Sequence, residues 1–145
     1  MTMEGNRIVR EVTLDAVISN VTAATDWINC ELEKLDCPLK VQLQIDMAID
    51  ELFSNIAYYA YKPGTGSADI RLECEDRLVS ITFIDSGIPF NPLDKPDPDV
   101  SLPAEQRRQG GLGIFLVKKA MDAVEYRRED GKNILTIRKH MGQKR

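Results

Sequence analysis

The sequence predicts an α+β protein, a two-layer α/β sandwich in which helices cover one face of a mixed, mostly antiparallel sheet. Apolar patterns of strand type and helix type follow one another in the order β, α, α, β, β, loop, α, β, β. The later strands come in adjacent pairs with short turns between them, which is typical of antiparallel hairpins. A doubly wound parallel fold requires strict alternation of strand and helix, and this order lacks it.

The first half of the chain predicts one strand and two helices. Residues 7–14 alternate imperfectly between apolar and polar, and Asp15 offers an N-cap for the helix that follows. Pro38 ends that helix, because the residue before a proline is pushed out of the helical region. A second helix is predicted over residues 39–61, since its apolar stripe has the 3.6-residue period of an amphipathic helix.

The second half predicts two hairpins separated by a long loop and a helix. The first hairpin turns at Asp76-Arg77, and the second has Asp130-Gly131 in its turn, which favours a hairpin. Between them lies a proline-rich loop, and a loop this long in a small domain is usually functional. The predicted elements are strands at residues 68–73 and 78–84, a helix at 114–121, and strands at 123–128 and 133–139.

Length and composition predict a single cytoplasmic domain over residues 1–145. The 23 acidic and 19 basic residues leave no concentrated basic face, so direct binding to nucleic acid is not expected. No apolar run approaches the roughly 18 residues that cross a bilayer, so no membrane partner is expected either. The three cysteines are odd in number and contain no C-x-x-C pair, which favours reduced thiols.

Glu51 and Asn55 form the first of three polar clusters that a hydrophobic core does not require. Residues four apart share one face of a helix, and asparagine is a poor residue in the middle of a helix. Its carbonyl oxygen suits Mg²⁺, and a carboxylate one turn away is a candidate general base. Simple exposure of both side chains to solvent is the alternative interpretation.

The second cluster, Asp85-Ser86-Gly87, follows an apolar strand. A plain turn explains these residue types. In a functional interpretation, Asp85 accepts a hydrogen bond from an exocyclic amine such as that of adenine, and Gly87 lets the backbone approach a flat ring.

The third cluster contains Gly110, Gly111 and Gly113 directly before an apolar helix. Glycines are unfavourable at a helix start unless something must approach closely, and unshielded N–H groups there form an anion site. A flexible loop that closes onto the helix is the alternative. The spacing matches neither a Walker A loop nor a Rossmann motif.

The order of the three clusters resembles the ATP-binding superfamily of DNA gyrase, the heat-shock chaperones and sensor histidine kinases. Within it, the chain is similar to the anti-sigma-factor serine kinases, bacterial switch proteins that bind a sigma factor and phosphorylate an antagonist protein. The resemblance is carried by residues 50–61 (DELFSNIAYYAY), 85–92 (DSGIPFNP) and 110–117 (GGLGIFLV). Pro89 and Gln109 stand at positions where the wider superfamily has glycines. These two departures affect the conformation of the lid more than the binding of the nucleotide.

The resemblance implies a histidine-kinase-like ATPase fold and a role for each cluster. Asn55 would hold Mg²⁺ and contact ATP, and Glu51 would be the general base. Asp85 would bind the adenine amine with Gly87 under the ring, and Thr136 would help Asp85.

The remaining implied contacts lie around a lid loop at about residues 88–110. Gly110, Gly111 and Gly113 would admit the phosphates. Arg108, at the end of the lid, is a candidate contact to the triphosphate because of its charge and position.

The resulting functional hypothesis is an ATP- and Mg²⁺-dependent protein serine/threonine kinase that regulates transcription through an antagonist protein and a sigma factor. The resemblance also implies a homodimer. The alternative is a nucleotide-dependent, non-catalytic module that sequesters its partner. A catalytic domain that acts on a histidine of another protein and an α+β domain without any ligand are further alternatives.

Overall fold

The residues that the structure describes, 7–94 and 112–143, form five strands and three α-helices in a computed structural model. The elements are β1 (Ile8–Asp15), α1 (Val21–Lys34), α2 (Leu39–Asn55), β2 (Ser67–Glu75), β3 (Leu78–Asp85), α3 (Leu112–Ala120), β4 (Ala123–Glu129) and β5 (Lys132–His140). One π-helical turn, Ile56–Ala60, continues α2, and short 3-10 turns occupy Ile18–Asn20 and Pro92–Asp94. None of the helices in these ranges is long and apolar enough to cross a membrane.

The strands form one sheet in the order β1-β2-β3-β5-β4. The predicted α+β architecture with a mostly antiparallel sheet is confirmed, and every neighbouring pair of the described strands is antiparallel. Two sequential hairpins lie side by side, and β5 pairs with β3 although α3 and β4 separate them in sequence. This pairing places Asp85, at the end of β3, opposite Asn133 at the start of β5.

The core lies between the helices and the inner face of the sheet. Along β2, β3 and β5 every second side chain is buried, as the two-residue period of a strand requires. The intervening side chains face away from the helices and are only partly buried. Among the largest fully buried side chains are Ile28, Leu32, Ile45, Ile49, Phe53, Ile70, Leu72, Ile81, Phe83 and Ile137.

Asp15 is not the helix N-cap that the sequence suggested. It is the last residue of β1, where it pairs with Ser67. The α-helix begins six residues later at Val21, and its N-cap residue Asn20 instead donates from Nδ2 to the Asp15 carbonyl oxygen at 2.8 Å. Strand pairing therefore outweighs the local capping preference of Asp15.

Asp46 is a half-buried carboxylate on α2. Its Oδ1 is buried and accepts no hydrogen bond from the described part of the chain, and the same holds for Oδ1 of Asn29 on α1. Burial raises the pKa of Asp46, a hydrogen bond from Asn29 partly offsets that effect, and the charge of Asp26 adds to it.

We expect Asp46→Asn to raise the free energy of unfolding at pH 7. Because the pKa of Asp46 is higher in the folded than in the unfolded state, its ionised form opposes folding above the folded-state pKa. That penalty disappears as the pH falls through the folded-state pKa toward the ordinary value of about 3.9. Denaturant unfolding at pH 7 and near pH 4 measures the gain and its loss.

Asp50→Asn is the matched control, since Asp50 lies exposed on the same helix. It should change stability little at either pH. A gain from Asp46→Asn that is the same at both pH values would contradict the electrostatic explanation.

Candidate active site

A cavity lies between the C-terminal end of α2 and the end of the sheet where β3 meets β5. Its wall is mostly apolar, with a few polar groups that converge on it, as is typical of small-molecule sites. The residues that line it are Leu52, Asn55, Ile56, Phe83, Asp85, Phe90, Pro92, Tyr126, Asn133 and Leu135. The cavity thus joins the first and second polar clusters of the sequence.

Asp85 supplies the only acidic side chain among the described residues that line this cavity. It ends β3 on the inner face and is 5% exposed. Its Oδ1 accepts two hydrogen bonds, from the Gly87 N–H at 2.9 Å and from Asn133 Nδ2 at 2.9 Å. Within the described ranges no group donates to Oδ2, so this oxygen is available to accept from an amine in the cavity.

Asn133 is the site residue that the sequence analysis missed. It is 5% exposed and bonds directly to Asp85. The sequence analysis placed it as the first residue of the last strand and gave it no functional role. The signal in the sequence was its spacing: Asn133 lies two residues before Leu135 and four before Ile137. Its amide therefore lies on the same apolar face of β5 as these two side chains.

Thr136 does not lie beside Asp85, so this expectation is wrong. It pairs with Thr82 across β3 and β5, and their hydroxyl oxygens are 3.0 Å apart. Both side chains lie in a polar groove on the outer face of the sheet, together with Ser80 and Arg138. Since a strand alternates its side chains, an even-numbered residue of β5 cannot reach the inner face that holds Asp85.

Gly87 is required by a contact with the protein's own backbone. A Cβ atom at this position would lie 2.1 Å from the carbonyl oxygen of Ala60 in the π-helical turn. The next residue, Ile88, donates its N–H to the same oxygen at 2.8 Å. The segment after β3 is therefore fastened to the end of α2, and the proximity of a flat ligand ring is not needed to explain this glycine.

The Glu51 carboxylate reaches the first turn of α3. A Cβ atom on Gly113 would lie 2.0 Å from Glu51 Oε1, so the glycine leaves the space that the carboxylate occupies. Asn55 Nδ2 donates to Glu51 Oε2 at 3.0 Å. The structure thus brings together Glu51, Asn55 and Gly113, which sequence analysis had placed in two separate clusters.

Asn55 fits the role of a Mg²⁺ ligand. Its Nδ2 faces Glu51, which leaves Oδ1 as a carbonyl oxygen of the kind that Mg²⁺ prefers, and no group in the described ranges donates to it. The same ranges hold no group of three or more His, Cys, Asp or Glu that could bind a metal by themselves. A single protein ligand is compatible with a Mg²⁺ that arrives with phosphates.

Several expected contacts lie outside the described residues. Gly110, Gly111 and Arg108 belong to residues 95–111, as does most of the predicted lid. Of the lid, only residues 88–94 are described, and they include the 3-10 turn Pro92–Asp94.

Residues 14–139 match the model of the histidine kinase-like ATPase domain. The chain belongs to this family. The match covers both the Asp85 cavity and the Glu51–Asn55 pair.

Two relatives of the ATPase domain are protein kinases by name. Serine/threonine-protein kinase BtrW of Bordetella bronchiseptica is 27% identical over 128 residues, which are 88% of this chain and 90% of BtrW. Serine-protein kinase RsbW of Bacillus cereus is 31% identical over 93 residues, which are 61% of this chain and 58% of RsbW. The similarity therefore extends over nearly all of BtrW but over little more than half of RsbW.

Solved structures support the fold of the domain. The structure of the RsbU and RsbW domains of Rv1364c from Mycobacterium tuberculosis superposes with a TM-score of 0.66 at 15% identity, covering 92% of this chain and 32% of that one. The Acinetobacter baumannii histidine kinase AdeS gives a TM-score of 0.51 at 17% identity, covering 94% and 70%. At such low identities the likeness concerns the fold alone.

We expect Gly87→Ala to lower the free energy of unfolding by about 1–3 kcal/mol, the usual cost of overpacking. The added methyl group meets the backbone oxygen of Ala60, which cannot move without loss of its hydrogen bond to Ile88. Chemical denaturation measures the loss. Ser86→Ala, at the exposed neighbouring position, is the control and should stay within about 0.5 kcal/mol of the unaltered protein; equal effects of both variants would rule out the steric explanation.

Proposed function

We propose that the protein is an ATP- and Mg²⁺-dependent serine/threonine protein kinase that acts as an anti-sigma-factor-type switch by phosphorylating a small antagonist protein. The observation that carries this proposal is the meeting of Glu51, Asn55 and Gly113 beside the cavity that holds Asp85. The similarity to BtrW and RsbW, both named as protein kinases, supports it.

Asp85 binds the adenine end of the nucleotide in this proposal. Its Oδ2 accepts a hydrogen bond from the exocyclic amine, while Oδ1 is occupied by two protein donors. The apolar side chains of Leu52, Phe83 and Leu135 line the space for the purine ring. Burial strengthens such a bond, because the competing water is excluded.

The phosphates lie toward the other end of the site, where α2 meets the start of α3. Backbone N–H groups in the first turn of a helix attract anions, and the helix dipole reinforces them. We propose that Gly110, Gly111 and Gly113 admit the phosphates and that Arg108 contacts the triphosphate. Asn55 Oδ1 would hold Mg²⁺, which would neutralise charge on the phosphates.

Glu51 is the proposed general base. A serine or threonine hydroxyl of the antagonist attacks the γ-phosphorus, a new O–P bond forms, and the bond to the bridging oxygen of ADP breaks. Glu51 Oε1 or Oε2 takes the hydroxyl proton, and Asn55 Nδ2 holds the carboxylate in place through its bond to Oε2. Phosphoryl transfer depends mainly on positioning and electrostatics, so a small domain suffices for it.

The proposed partners are proteins. We place the antagonist in contact with the α2–α3 end of the site, with a sigma factor as a second partner and a homodimer as the working assembly. The reaction belongs in the cytoplasm, where ATP is available and where reduced thiols such as Cys30 and Cys74 are maintained.

The direct test is incubation of the purified protein with γ-labelled ATP and with partners captured from the native cell. The proposal expects acid-stable label on a serine or threonine of a small partner. Tight binding of ATP with no transfer to any captured partner would support the sequestering module instead. Acid-labile label on a histidine would point to a histidine-directed kinase.

We expect Glu51→Gln to reduce the rate of phosphoryl transfer by about 10²–10⁴-fold, the usual contribution of a general base. The amide keeps the size of the side chain and its place beside Gly113 but cannot take a proton. Affinity for ATP should change by less than threefold, because Glu51 does not line the cavity. Single-turnover transfer and calorimetric titration measure the two quantities.

Asp50→Asn is the control for this variant, because it removes the same charge from the neighbouring, exposed position of α2. It should transfer phosphate at the rate of the unaltered protein. The assignment of Glu51 as the base fails if Glu51→Gln is as active as Asp50→Asn.

We expect Gly113→Ala to slow phosphoryl transfer at least tenfold without loss of stability. The new methyl group would occupy the place of Glu51 Oε1 and displace a flexible carboxylate, while alanine inside a helix is favoured over glycine by up to about 1 kcal/mol. Transfer assays and thermal unfolding separate the two effects. A variant that is equally active would show that the carboxylate works from another position.

A further inference from the structure

We propose that Asn133 is a positioning residue that fixes the Asp85 carboxylate and thereby sets the selectivity of the cavity for a 6-aminopurine. The inference rests on the proposed nucleotide site and adds a residue to it. Asn133 does not touch the exocyclic amine in this proposal. It acts through Asp85 Oδ1, which it contacts at 2.9 Å.

The Asn133 side chain uses both ends of its amide. Nδ2 donates to Asp85 Oδ1 at 2.9 Å and to the Ile88 carbonyl oxygen at 2.7 Å. Oδ1 accepts from the Tyr126 hydroxyl at 2.5 Å and from the Phe90 N–H at 3.2 Å. A buried amide with four partners is held in one position, because any rotation leaves polar groups unpaired.

The four partners also determine which end of the amide faces Asp85. The Phe90 N–H is a donor and the Ile88 carbonyl is an acceptor, and neither can change its role. A flipped amide would place N–H against N–H at Phe90 and oxygen against the carboxylate at Asp85. The backbone of the segment after β3 therefore ensures that Asn133 presents a donor to Asp85.

This donor has a consequence for ligand selection. With the Gly87 N–H and Asn133 Nδ2 both directed at Oδ1, the carboxylate cannot rotate without losing two bonds. Oδ2 then stays aimed as an acceptor, which suits an amine at purine position 6 and repels a carbonyl oxygen there. A site built to bond one group discriminates strongly against an analogue that lacks it.

The test compares two nucleotides that differ only at this position: ATP and purine riboside triphosphate, which has hydrogen in place of the amine. Calorimetric titration gives the affinity of each for the unaltered protein, for Asn133→Ala and for Tyr126→Phe. A hydrogen bond to a charged group corresponds to a preference of about tenfold or more, so the unaltered protein should favour ATP by that factor.

In Asn133→Ala the preference should fall below about threefold, chiefly through weaker binding of ATP. Tyr126→Phe removes only the hydroxyl that holds Asn133 Oδ1 and should reduce the preference by a smaller factor. If Asn133→Ala does not fold, the Tyr126→Phe variant alone still tests whether the position of Asn133 sets the preference for ATP. Thr82→Ala, on the outer face of the same strand as Asp85, should keep the full preference.

Two results would overturn the inference, and they are distinguishable. If the unaltered protein prefers ATP and the Asn133 and Tyr126 variants lose affinity for both nucleotides equally, Asn133 is merely structural and only this inference fails. If the unaltered protein binds neither nucleotide, or binds both equally, the proposed adenine contact of Asp85 fails as well.

Discussion

The burial of the Asp85 carboxylate at the end of β3 is the constraint on which the site depends. Burying a carboxylate away from water is costly in free energy unless the carboxylate is hydrogen-bonded. The two donors to Asp85 lie far from each other in the sequence. Gly87 lies two residues away, whereas Asn133 is 48 residues away and is brought opposite by the pairing of β3 with β5. The arrangement of the site therefore follows from the strand order of the whole sheet.

The end of α2 connects the Asp85 carboxylate to the Glu51–Asn55 pair. Its last α-helical turn carries Asn55, which holds Glu51, and the π-helical turn that follows offers the Ala60 carbonyl to the segment after β3. π-helical turns are rare and often occur at functional sites. Here the turn joins the end of α2 to the segment after β3, so the helix and this end of the sheet form one frame around the cavity.

Most of the fold was predictable because it depends on local sequence patterns. The two-residue and 3.6-residue periods of apolar residues located the five strands and three α-helices of the described residues. The errors arose where non-local pairing decides. Asp15 is drawn into β1 by Ser67, and Thr136 lies on the outer face because of the parity of β5. Asn133 was missed because its importance comes from a partner on another strand, whereas Glu51 and Asn55 lie four residues apart on one helix.

None of the described helices covers the outer face of the sheet, and Thr82, Thr136 and Arg138 line a polar groove there. Because successive side chains of a strand project to opposite sides, the backbone of the sheet separates this surface from the Asp85 cavity. Substitutions at the outward positions therefore leave the inward side chains in place. Every second residue of β3 and β5 can therefore be substituted to change the outer surface, while the residues between them continue to form the core and the cavity.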